Sequence, residues 1–200
     1  QLCLAHTYGS GGDESCENTV RAVENLLFGQ TVDHYAALSM DAVPLLADLV
    51  GGVPVTIDTD MTAVDPRLIE GETVTLEGEL ALSYVRARQI VSDGTNQSRM
   101  ARQEQFLRAA WEAWMEKTAS GDAVELGTDA LVSLGERLRS DCTVQKLSRF
   151  LERIEQCELT VLPAPAGEAK ISEENIAEFY VDDDALEQTV LELFYREEIS

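Results

Sequence analysis

Residues 80–103 read Leu80-Ala-Leu-Ser-Tyr-Val-Arg-Ala-Arg-Gln-Ile-Val-Ser-Asp-Gly-Thr-Asn-Gln-Ser-Arg-Met-Ala-Arg-Gln103. Leu80, Leu82 and Val85 give the first part helical spacing. The polar stretch 90–97, with Gly94, then breaks the pattern as a turn or loop. A second and longer helix opens with Asn96 or Ser98 as its cap and runs to about Lys117, enclosing Phe106, Leu107, Ala110 and Trp114. Arg86 and Arg88 close the first helix, and Arg99 and Arg102 open the second. Against these four arginines the stretch has one acid, Asp93, in a chain whose formal net charge is -22. Such a basic island suits an anion whose oxygens match the guanidinium fork, phosphate or pyrophosphate above all. The competing reading is a salt-bridged surface segment.

Spacing sharpens the first reading. Arg86 and Arg88 diverge by about 200° on a continuing helix, so they converge on one ligand only if the helix ends there. Arg99, Arg102 and Gln103 stand at i, i+3 and i+4 and share a helix face. The start of that second helix adds free backbone N–H groups and the positive end of its dipole. Solvent exposure is the alternative for Gln103, and the surface is the expected place for Arg108. Asp93 and Asn96 in the connecting loop either support the arginines and a metal-bound water or form an ordinary Asx turn. Asp58 and Asp60 resemble loose metal ligands, although a solvated turn accounts for them more simply.

Outward from this core, residues 14–28 form a helix through Val20, Val23, Leu26 and Leu27, stopped by Gly29. Residues 34–40 alternate as a strand. Asp41 caps a short helix over 42–50 with Pro44 in its first turn. Gly51 and Gly52 break that helix ahead of a β-branched strand over 53–57, in which Pro54 points to an edge. Residues 59–72 read as loop. Helices follow at about 123–140 and 143–156, then a strand over 159–162, a Pro-rich link over 163–167, and an amphipathic helix over 183–195. The fold class is α/β, or mixed α+β, with a central mixed sheet flanked by helices. Residues 1–200 form one domain, with a motif-rich core over 3–118 and an extension over 119–200.

Apolar residues make up 44% of the chain, enough for a sizeable core. No run reaches the roughly 18 apolar residues of a membrane span. A charge of -22 argues against general nucleic-acid binding, which needs a basic face. Cys3, Cys16, Cys142 and Cys157 fall in two local pairs. Bridges 3–16 and 142–157 suit an oxidising compartment, and four free buried thiols are the alternative that spacing leaves open. No GxSxG, Walker glycine loop or HExxH motif is present. Any chemistry must come from arginine and metal electrostatics on a phosphoryl group, with a carboxylate as base.

The motifs, taken in order, resemble the LytR–CpsA–Psr family. Leu80-Ala-Leu-Ser-Tyr-Val-Arg-Ala-Arg88 is similar to its Ala-Leu-x-Tyr-x-Arg-x-Arg segment, and Arg99-x-x-Arg102-Gln103 to the Arg-x-x-Arg-Gln that follows. Leu4-Ala-His-Thr-Tyr-Gly9, Val32-Asp-His-Tyr35 and Leu49-Val-Gly-Gly-Val53 resemble earlier family stretches. Asn96 stands where the family often carries Asp.

The resemblance implies an extracytoplasmic, membrane-anchored enzyme of the bacterial envelope. Such an enzyme transfers glycopolymers, teichoic acid or capsule, from a polyprenyl-pyrophosphate carrier to peptidoglycan with Mg2+ assisting. It implies that Arg86, Arg88, Arg99 and Gln103 bind the pyrophosphate, with Arg102 in support, and that Arg86, Arg88 and Arg99 carry the catalysis. It further implies that the chain corresponds to the C-terminal two-thirds of the family domain, lacking its N-terminal strands and anchor. The alternative is a non-catalytic module that holds polyprenyl pyrophosphate or an anionic glycopolymer. A transcription regulator does not fit the charge or the lack of a basic recognition helix.

Overall fold

The structure is a computed structural model and describes residues 2–88, 96–119, 123–154, 157–172 and 177–195. After a 3-10 turn (Leu2–Tyr8) come α1 (Asp13–Leu26), β1 (Ala36–Leu38), α2 (Val43–Leu49), β2 (Val53–Thr56) and β3 (Thr73–Leu76). These lead to α3 (Gly78–Arg86), α4 (Asn96–Ala119), α5 (Ala123–Leu134), β4 (Leu138–Ser140) and α6 (Val144–Ile154). The chain closes with β5 (Gly167–Ile171), β6 (Ala177–Val181) and α7 (Asp183–Phe194). The class is mixed α/β, as expected. Where a central mixed sheet was expected, the described strands pair as three two-stranded antiparallel ribbons, β1–β4, β2–β3 and β5–β6. Backbone contacts divide the chain into two compact units, residues 36–159 and residues 1–35 with 160–200.

The larger unit is built around the β2–β3 ribbon. Alternation along β2 turns Val53 and Val55 inward, and Ile57 continues the pattern. Register runs from Val53 opposite Leu76 to Thr56 opposite Thr73. The 57–72 excursion closes on itself through Ile57 N–H to Glu72 O (2.9 Å) and Gly71 N–H to Ile57 O (2.8 Å). Its Met61 and Leu68 are buried beneath the ribbon's core. Leu80, Ala81, Tyr84 and Val85 face the same core from α3, and Phe106, Ala109 and Ala110 of α4 pack against it. Burying one such aliphatic side chain contributes about 2 kcal/mol. An α2 side chain fixes the start of α3, because Asp48 Oδ1 accepts the Gly78 N–H at 2.7 Å.

In the smaller unit, Ser15 of α1 is buried and its Oγ accepts the Gly11 N–H at 2.9 Å. Asp182 caps α7, accepting the Ala185 N–H at 2.9 Å, and Leu186 and Val190 bury one face of that helix. No described helix is long and apolar enough to cross a membrane.

Several expectations change. The helix expected over 123–140 stops at Leu134, because Gly135 has φ +47° and the chain then enters β4. Residues 159–162 form no strand, and the ladder forms later as β5–β6, beyond Pro163 and Pro165, which have no N–H to give it. Strand β3 lies between the stretch read as loop and the following helix, where no element was expected. Asp41 does not cap α2. Its carboxylate accepts from the Ser39 hydroxyl and from Arg137 Nε at 3.1 Å, and these bonds, Ser39 first, lower its pKa.

Of the two alternatives for the cysteines, free thiols hold at Cys16, Cys142 and Cys157. Helix α6, 11 residues and about 16 Å long, lies between Cys142 and Cys157, whereas a bridge needs Cα atoms within about 7 Å. Cys157 Sγ instead donates to Arg153 O at 3.5 Å. Cys16 is buried within α1, and the Cys3 side chain lies outside the described residues.

Candidate active site

Helix α3 ends where the ligand reading requires. Ala87 leaves helical geometry (φ -53°, ψ 135°), so Arg88 does not continue the turn that carries Arg86. Both arginines are exposed and line one shallow depression of about 370 Å3 with Val64, Glu79, Leu82, Ser83 and Ala87. The divergence that a continuous helix would impose is thereby removed.

Helix α4 holds this end of α3 from behind. Gln103 Nε2 donates to Val85 O at 3.2 Å, and Arg102 Nη2 donates to Ala87 O. These carbonyls bracket Arg86 and are among those a helix C-terminus leaves without intrahelical partners. A guanidinium at this position also complements the negative end of the α3 dipole. In this structure Gln103 and Arg102 hold the end of α3, where the motif reading places them on the ligand. Arg99 is half-buried in the first turns of α4, and its Nε, like that of Arg102, is buried.

A second cavity, of about 150 Å3, is lined by Asp58, Thr59, Met61, Tyr84, Ser98, Ala101 and Arg102. The Tyr84 hydroxyl donates to Gln105 Oε1, and Gln105 Nε2 donates to Thr56 O at 2.8 Å, tying α3, α4 and β2 together. Burial, aided by the Asp58 charge and opposed by Arg102, pushes the Tyr84 phenol up to about 12. Sequence reasoning missed Tyr84 and Gln105. The signal available was that Gln105 stands one helical turn beyond Arg102 and that Tyr84 precedes the arginines on the buried stripe of α3.

The two acids read as a solvated turn part company. Asp60 accepts from the Thr62 N–H and hydroxyl, each at 3.1 Å, as an Asx turn does. Asp58 faces the cavity. Thr59 and Ser98 line the same cavity, and carboxylate and hydroxyl oxygens are the donor type that Mg2+ prefers, an ion usually held by one or two carboxylates plus substrate phosphate. Arg102 in the same cavity opposes a bare cation, so the fit requires an anion between them. Arg108 is a surface residue paired to Glu104 at 2.9 Å. Asp93 and the Asn96 side chain lie outside the described residues.

The structure thus brings Arg86 and Arg88 to one depression and gives Arg102 to the neighbouring cavity. Gln103 is spent on the backbone, and Arg99 lines neither space. The sequence profile of the LytR_cpsA_psr family matches residues 3–193. The chain belongs to this family. Among relatives in the LytR_cpsA_psr family's sphere, a polyisoprenyl-teichoic acid–peptidoglycan teichoic acid transferase TagU from Bacillus mycoides is 26% identical over 154 residues, covering 77% of this chain and 47% of that protein. Cell wall biosynthesis protein LcpA from Corynebacterium glutamicum is 38% identical over 99 residues, covering 48% of this chain and 18% of that one. The solved structure of TagT bound to LI-WTA shares the fold, with a TM-score of 0.71 at 20% identity over 96% of this chain and 69% of its own. The chain spans about half the length of the Bacillus mycoides transferase.

Proposed function

We propose that this chain carries the phosphate-binding and catalytic part of an envelope phosphotransferase. It moves a glycopolymer from a polyprenyl-pyrophosphate carrier to peptidoglycan, outside the cytoplasmic membrane and on a protein anchored there. The observation that carries the reading is the placement of Arg86 and Arg88 on one depression at the end of α3. Two guanidinium forks side by side suit a diphosphate better than a single phosphate.

In this reading a hydroxyl of the peptidoglycan acceptor attacks the phosphorus on the glycopolymer side of the diphosphate. A new P–O bond forms, the bond to the bridging oxygen breaks, and polyprenyl phosphate leaves with the electron pair. Arg86 and Arg88 bind the phosphoryl oxygens and offset the charge that grows on the leaving group, and the family motif adds Arg99 to them. Gln103 and Arg102 keep Arg86 and Arg88 aimed by holding Val85 and Ala87. Asp58 is the cavity carboxylate placed to take the acceptor's proton or, with Thr59 and Ser98, to hold Mg2+. When bound with the diphosphate, Mg2+ would neutralise charge on its oxygens.

Asn96, a neutral amide where the family often has Asp, favours the second reading, a module that binds the carrier without turning it over. The test is release of polyprenyl phosphate from a polyprenyl-pyrophosphate-linked glycopolymer in the presence of a peptidoglycan fragment. Mg2+-dependent release, lost in Arg86→Ala/Arg88→Ala, supports the transferase. Tight binding with no release would leave the binding module.

A further inference from the structure

The chain has a second basic island. Residues 137–153 hold Arg137, Arg139, Lys146, Arg149 and Arg153 against Asp141 and Glu152, a third of the 15 lysines and arginines of the whole chain. Its local charge equals that of the arginine stretch at 84–103, again against a background of -22. Arg137 pairs with Asp41, Arg139 lies on β4, and Lys146, Arg149 and Arg153 lie on α6.

Lys146, Arg149, Phe150 and Arg153 fall within about 100° of one another around that helix. All four are exposed, Phe150 at 59%. The helix packs on α5, which packs on α4, and its Leu147 is half-buried. Leu147 turns toward the protein, and Lys146, Arg149, Phe150 and Arg153 face out. An interfacial membrane helix turns an apolar face to the lipid, whereas the outward face here carries three cations.

We propose that the outward face of α6 binds the phosphodiester backbone of the glycopolymer, away from its pyrophosphate-linked end. The proposal rests on the transferase reading for the identity of the cargo. Three cations in sequence along a helix make a track for repeating phosphates. Two of the three are guanidinium groups, whose forks grip phosphate oxygens in pairs. Phe150 gives the polymer's sugar or polyol carbons an apolar surface between the charged contacts.

The test uses the full chain and a lipid-free poly(glycerol phosphate) polymer, followed by calorimetry or fluorescence anisotropy across a salt series. Wild type should bind with log K falling against log salt with a slope of about -2, from three cations at about 0.7 each. A slope near zero would overturn the proposal without any variant being made. Lys146→Gln/Arg149→Gln/Arg153→Gln should lose about tenfold to a hundredfold in polymer affinity, and Lys146→Arg should bind as wild type. Unchanged polymer binding by the triple variant would sink the idea, as would equal loss of binding to a neutral dextran. Preferential binding of α6 to phosphatidylglycerol vesicles over the polymer would also sink it. The triple variant should still bind a short polyprenyl pyrophosphate, whereas Arg86→Ala/Arg88→Ala should lose that ligand and keep the polymer. The two failures are therefore told apart by which ligand is lost.

Discussion

Tyr84 reports on the cavity beside the arginines, and raising the pH reads it directly. Its phenol is buried, 1% exposed, and its pKa is pushed up to about 12 by burial first and the Asp58 charge second. In the unfolded chain a tyrosine ionises near about 10. Between these values the unfolded chain gives up a proton that the folded protein keeps. Stability contributed by Tyr84 is thus complete below about pH 10 and falls as pH rises, by at most about 1.4 kcal/mol per unit. Over about two units the loss approaches 2.7 kcal/mol, and Tyr84→Phe does not suffer it.

Below about pH 9 the variant should be less stable than wild type by about 1 kcal/mol, because Gln105 loses its hydroxyl partner. The two curves of stability against pH must then cross between about pH 10 and pH 12. Urea unfolding at half-unit steps measures both curves, and ionisation of the other tyrosines cancels in the difference. Asp58→Asn should shrink the alkaline loss and Arg102→Met should enlarge it, since these charges act in opposite senses on the phenol. Parallel curves for wild type and Tyr84→Phe would refute the burial of the Tyr84 phenol beside Asp58.

Other expectations concern the turn, the clamp and the thiols. Gly51 and Gly52 have φ of +85° and +94°, but a Cβ at 52 would overlap Thr75 Cγ2 and one at 51 meets nothing within 4 Å. Gly51→Ala should cost about 1–2 kcal/mol, and Gly52→Ala at least about 1 kcal/mol more. Thr75→Ser should recover that excess, and equal losses at the two glycines in urea unfolding would contradict the packing. Gln103→Leu should lower stability by about 1 kcal/mol through the abandoned Val85 carbonyl and weaken pyrophosphate binding with it. Unchanged stability with lost affinity would mean that Gln103 touches only the ligand. Without reductant, a thiol reagent should modify Cys157 readily, Cys142 more slowly and Cys16 only on unfolding. Protection of both Cys142 and Cys157 would restore the bridge.

Much of this architecture was legible because long elements carry many repeats of one period. The helices α1, α3 and α7 show apolar residues on one stripe, and α3 and α4 bring the arginines with them, although Leu107 of α4, read as inside, is exposed. The short ribbons were not legible. Strand β3 offers four residues, and β5 is exposed at every position, so alternation of inside and outside never registers. At the site, the pairing of Arg86 with Arg88 followed from the helix stop. The division of labour between ligand and backbone did not, because whether Arg102 and Gln103 reach a phosphate or a carbonyl depends on how closely α4 lies against the end of α3. Likewise Asp58 and Asp60 look alike in sequence, and only the fold of the 57–72 excursion turns one into the cavity and the other into a turn.

The most direct measurement is the affinity of the chain for a short-chain polyprenyl pyrophosphate, with and without Mg2+, for wild type and Arg86→Ala/Arg88→Ala. The account predicts binding that the double variant loses at unchanged stability. Equal binding by both proteins would contradict it, leaving the two arginines as surface charges and moving any pyrophosphate site elsewhere.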